Sequence, residues 1–157
     1  MSSIQDAIYN AIDDQKINLL ENQINAYDNR IAEANTRINS MSRAYDSLVQ
    51  FQTEVRKTHD NFNTVTSKHK KILAPLDSMA HDCKGAKSYG QGMHKTLTGF
   101  GNNVVGLAFI GLTASIQRKL RQYSSDISAT QRNIDTWNRN KSECQDRIKQ
   151  EKDKEKR

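Results

Sequence analysis

The chain has 157 residues and a formal charge of +6, the length of one ordinary domain. Hydrophobic residues make up 35% of it and its mean hydropathy is −0.85, below the roughly 45–50% apolar content of globular domains. That excludes a thick globular core and leaves one apolar stripe for each of two helices.

The first arm opens with Ser3, whose hydroxyl is placed to cap a helix, and Asp6 three residues on completes an approximate capping box. The opening residues carry neither a basic nor an apolar run, so no classical signal peptide is expected. From Ile17 the apolar positions keep a 3-4 spacing: Ile17, Leu20, Ile24, Tyr27, Ile31, Ala34, Ile38, Met41, Tyr45, Leu48, Gln52, Val55, His59, Phe62. Twelve of these fourteen are apolar, and a repeat held this long marks a supercoiled seam and argues against a disordered chain. Gln52 and His59 are defects in it. The spacing slips between Phe62 and Val65 and resumes at His69, Ile72, Leu76 and Met79. Pro75 lacks an N–H and is expected to kink or interrupt the helix.

All seven glycines lie between positions 85 and 111, and glycine is the strongest punctuation after proline. The first breaker is a hinge at Cys83, Lys84 and Gly85, where Gly85 is expected to end the helix in a left-handed cap. Ser88 with Gln91 is placed to cap the next helix. A second breaker falls at Gly99, Phe100, Gly101, Asn102 and Asn103. The second arm then carries Ile116, Leu120, Tyr123, Ile127, Thr130, Ile134, Trp137, Lys141, Cys144 and Ile148, eight of the ten apolar. Two matching stripes joined by a glycine-rich middle predict an all-α fold, a long antiparallel helical hairpin. It forms a single domain over 1–157, with arm one at 3–83, hinge and short helix at 84–102, and arm two at 103–153. Of the two breakers, the first is favoured for the reversal.

Residues 96–117 carry no charge, and residues 104–116 are apolar almost all round. A membrane span wants about 20 residues, and a run of 10–14 is more often covered by protein. One partner arm covers one face of such a helix, so the other face needs another chain. The expected partner-binding residues are Val104, Val105, Leu107, Phe109, Ile110 and Leu112, opposite residues 54–66 of the first arm.

The charge is uneven: residues 1–84 carry 10 Lys/Arg and 11 Asp/Glu, residues 85–157 carry 14 and 7. No run of five like charges occurs, and residues 149–157 alternate sign like a solvated helix face; nucleic-acid binding is not expected. Cys83 and Cys144 would lie about 90 Å apart in the hairpin. They are expected to be free thiols, which suits a reducing cytoplasm. His81, Cys83 and His94 fall short of a zinc site, and His59 and His69 read as seam residues. No catalytic set or phosphate loop appears, so neither an enzyme nor a cofactor is expected.

A long hairpin with this turn (Asp82, Cys83, Lys84, Gly85, Ala86, Lys87, Ser88) resembles the WXG-type family of type VII secretion. It is similar above all to the small helical proteins encoded beside LXG-domain toxins in Gram-positive bacteria. Cys83 stands where that family has tryptophan; the sole tryptophan here is Trp137. The resemblance implies a non-enzymatic partner that chaperones or targets the helical N-terminal region of an LXG-type toxin, cytoplasmic or exported with it. Family members carry a Tyr-x-x-x-Asp/Glu export motif on the second helix; here the pattern is Tyr9 with Asp13, on the first arm. Two other readings stand beside it: a self-associating structural coiled coil, and a membrane-active protein inserting residues 96–117.

Overall fold

A computed structural model describes residues 2–79 and 84–155, with side chains described for 11–75, 84, 85 and 87–154. The described residues are all-α: α1 Ser2–Met79, α2 Lys84–Thr98 and α3 Phe100–Glu155. They divide into two compact units. The first holds residues 1–43 and 123–157, the second residues 44–122.

In the first unit α1 and α3 run antiparallel. Cys144 donates to Gln23 Oε1 at 3.5 Å, and three residues earlier on α3, Lys141 meets Asp28, further along α1, at 2.6 Å. Its core is Ile17, Ala34, Ile134 and Cys144, all predicted seam positions. The polar seam residues find partners. Thr130 Oγ1 donates to the Asp126 carbonyl at 2.8 Å, and Lys141 reaches its carboxylate at the rim. A hydroxyl or ammonium at a helix–helix seam is tolerated when its donors are satisfied in this way.

The second unit is again antiparallel, with His59 stacked on Phe109, ring centroids 4.8 Å apart, and Phe62 tilted against the same ring at 6.2 Å. Val55, Leu73 and Ile116 are its buried hydrophobic side chains among the described residues, and Gly90 of α2 is buried as well. No large side chain among the described residues is fully buried, as a core one residue thick requires.

Several expectations are corrected. The first seam does not slip after Phe62. Thr66 is half-buried and Leu73 buried, while Val65 and Ile72 are 51% and 68% exposed. The 3-4 repeat runs on through 62, 66, 69 and 73, and His69, on that repeat, is exposed. Chemical type misled here, because a threonine occupies the seam and two β-branched apolar residues lie beside it. Pro75 does not interrupt α1, which continues past it to Met79, although a proline inside a helix removes one backbone hydrogen bond. Ser3 lies within α1, which opens at Ser2.

The glycines do not punctuate as expected. Six of the seven lie inside helices, and none of the described ones has a positive φ. Gly85 therefore forms no left-handed cap; it lies inside α2, as does Ser88. Glycine costs about 1 kcal/mol in a helix relative to alanine; packing can offset that at Gly90, which is buried, and Gly106, which is half-buried, while Gly85, Gly92, Gly101 and Gly111 are exposed. Cys83, His81 and Asp82 lie outside the described residues. The second breaker is real but short. Gly99 leaves helical geometry, and the Asn103 amide donates to its carbonyl at 3.3 Å, so Gly99 immediately precedes α3 and accepts its first hydrogen bond. A Cβ on Gly99 would collide with the Lys95 carbonyl, which is why the break carries glycine. Apart from Gly99 the residues from 84 to 155 are helical, so this breaker does not turn the chain.

Candidate docking surface

On α3 the 3-4 repeat of the second arm extends backwards from Ile116 through Thr113, Phe109, Gly106 and Asn102, all half-buried. This row faces α1. Phe109, expected to face outward, instead packs against His59 and Phe62. It belongs to the seam.

The other five expected partner-binding residues are exposed: Val104, Val105, Leu107, Ile110 and Leu112. At 3.6 residues per turn, Val104 and Leu107 fall about half a turn from the seam. They continue a second 3-4 row: Phe100, Val104, Leu107, Gly111, Ala114, Arg118. Phe100 is the most open of the large hydrophobic residues among those described, at 86%, and sequence reasoning missed it by treating it as part of a loop. Extending the Ile116 repeat backwards would have placed it opposite the seam. Gly111 and Ala114 leave shallow depressions in this row, and a Cβ added at Gly111 would meet nothing within 4 Å.

The flanks of the seam are also apolar. On one side lie Val105 and Leu112 of α3. On α1, Phe51, Val65 and Ile72, at multiples of seven residues, border the same flank, since in an antiparallel pair the positions preceding each helix's first core site share a side. On the opposite flank a groove of about 490 Å³ is lined by Phe62, Asn63, Asn102, Asn103, Gly106, Leu107 and Ile110. It exists because Gly106 occupies a seam position without a side chain to fill it. Its three asparagines offer amide donors and acceptors, and Phe62, Leu107 and Ile110 offer apolar wall.

Among the described residues, eleven of the thirteen exposed large hydrophobic side chains belong to the second unit, and Ile12 and Leu19 to the first. Scattered exposed apolar residues need no explanation, but rows of them mark interaction sites. Comparison with protein-family models, curated proteins and solved structures gives no match. The surface has to speak for itself.

An 18-residue window in the run 87–154 reaches a mean hydropathy of 1.3 with 6% of it buried, enough by length and composition to cross a membrane. The α1 segment paired with it carries Glu54, Arg56, Lys57 and Asp60, all exposed. Inserting this pair into hydrocarbon would bury those charges.

The remaining expected site residues lie elsewhere. Asp13 holds Lys16 at 2.8 Å, and this hydrogen bond and charge raise the Lys16 ammonium above its ordinary value. Tyr9 is on α1, its side chain outside the described set. Cys144 is buried as a free thiol. Among the described residues no group of His, Cys, Asp or Glu is arranged to hold a metal.

Proposed function

We propose that this chain is a non-enzymatic partner protein that receives a helix of another protein on its second unit. The observation that carries the proposal is the row Phe100, Val104, Leu107, Gly111 and Ala114: apolar, exposed, spaced for helix packing and unoccupied by the chain's own arms. Helix-in-groove recognition needs anchors at such spacing, and small residues between large ones give the anchors somewhere to go. The resemblance to the small proteins encoded beside LXG-type toxins supplies the identity of the partner in this reading: the helical N-terminal region of such a toxin, chaperoned or targeted to a type VII secretion machine.

Co-expression with the helical N-terminal region of an LXG-type toxin tests it. The wild-type chain is expected to co-purify with that region, and a Leu107→Asp, Ile110→Asp variant to lose it while keeping its helix content. Undiminished recovery of the complex with the variant would refute the surface. Failure of the wild type to retain the toxin region would refute that identity for the partner.

A further inference from the structure

The net charge of the chain lies entirely in one unit. Residues 44–122 carry 11 Lys/Arg against 5 Asp/Glu, a net +6, while residues 1–43 and 123–157 carry 13 of each and are neutral. The described ion pairs Lys16–Asp13, Lys141–Asp28 and Lys154–Glu151 belong to the neutral unit. Residues 84–125 contain no acidic side chain at all. Within that stretch Lys95 lies toward one end of the apolar row and Arg118 and Arg121 lie at the other, all three exposed. Between them residues 96–117 are uncharged. The row from Phe100 to Ala114 is about 21 Å long, three to four helical turns.

We infer that the helix received by this unit is an acidic one: three to four turns of apolar stripe with Asp or Glu at both ends, set against Lys95 on one side and Arg118 with Arg121 on the other. This rests on the docking reading above and names the chemistry of its partner. Charge complementarity selects the occupant. A second copy of this chain would bring one +6 unit against another, with Lys95, Arg118 and Arg121 at the ends of both rows and no acidic partner between 84 and 125, and like charges juxtaposed across an interface oppose association. An anionic lipid surface suits helices whose basic residues line both edges of the apolar face along its length; here the length is bare of charge and the basic groups stand only at its ends. The depressions at Gly111 and Ala114 in a 3-4 row are likewise useful to side-chain knobs and without purpose for a fluid bilayer. The rim charges act mainly on encounter rate and orientation, with the apolar row holding the complex.

Fluorescence anisotropy with the full chain and two model peptides tests the inference. Both are amphipathic helices of about 20 residues with one Leu/Ala stripe; one has Glu at both ends, the other Lys. The Glu-ended peptide is expected to bind about tenfold more tightly at low ionic strength, with the gap closing near 1 M salt, where charges are screened beyond about 3 Å. The exposed Lys95→Glu, Arg118→Glu, Arg121→Glu variant, its fold checked by circular dichroism, is expected to reverse the preference. Equal binding of the two peptides, abolished by Leu107→Asp, would overturn the acidic partner and leave the docking surface standing. No binding of either peptide would count against the docking reading itself. Tight binding to phosphatidylcholine vesicles containing phosphatidylglycerol without peptide binding would assign the surface to lipid, and a stable homodimer that hides Leu107 would assign it to a second copy.

Discussion

Replacing glycines one at a time separates those the second unit needs from those it merely accommodates. Gly106 lies inside α3, with φ in the ordinary range, and an added Cβ would meet nothing within 4 Å. Gly106→Ala therefore removes a helix-propensity penalty of about 0.8–1 kcal/mol without a steric cost. For a chain of this size that corresponds to a rise in thermal midpoint of about 2–4 °C. Gly99→Ala places the same methyl group against the Lys95 carbonyl, which is backbone and cannot rotate away. Relieving that overlap means moving the end of α2 or the start of α3, a disturbance of the kind that costs about 1–3 kcal/mol. The two variants differ by one methyl each and are expected to shift stability in opposite directions, about 2–4 kcal/mol apart. Urea unfolding followed by far-ultraviolet circular dichroism measures both. If Gly99→Ala stabilises as much as Gly106→Ala, the break at Gly99 is not imposed by close approach, and the division of the run into α2 and α3 is wrong.

Leu107→Asp and Phe109→Asp, two residues apart, should also behave oppositely: the first leaves the unfolding midpoint nearly unchanged, and the second, which puts a carboxylate between His59 and Phe62, lowers stability by at least about 2 kcal/mol. Equal effects on the midpoint would show that the seam row has been assigned to the wrong side of α3. Thr66→Leu is expected to stabilise the second unit by about 1 kcal/mol through added burial on the seam, whereas Val65→Thr should be close to neutral; urea midpoints with the reverse ranking would restore the slip in the repeat. In a Cys83→Ser background, Cys144 should react with a thiol reagent only as fast as the first unit opens, since it is buried, and labelling as fast as a free thiol would contradict its place in the core. Lys141→Ala should cost less than about 1 kcal/mol, with the loss shrinking in salt, because the Asp28 side chain of this pair is 48% exposed.

The heptad spacing by itself determined most of the fold. Every one of the fourteen positions from Ile17 to Phe62 and the ten from Ile116 to Ile148 is buried or half-buried, because a long amphipathic helix has only one way to hide a 3.5-residue stripe. The absence of charge from 96 to 117 and the all-round apolar run 104–116 pointed to the stretch in which Val104, Val105, Leu107, Ile110 and Leu112 are exposed. What spacing alone could not decide was rotation in a stretch apolar all round. Nothing in residues 104–116 distinguishes Phe109 from Leu107 until α1 lies along one side, and then Phe109 is inside and Leu107 outside. The same contact decided that Thr66 is a seam residue and Val65 is not, and it keeps Gly106, half-buried on the seam, in a helix that its propensity disfavours. Local preferences are worth about a kilocalorie per residue. A packed partner helix acts on every turn at once, so the tertiary pairing prevails wherever the two disagree.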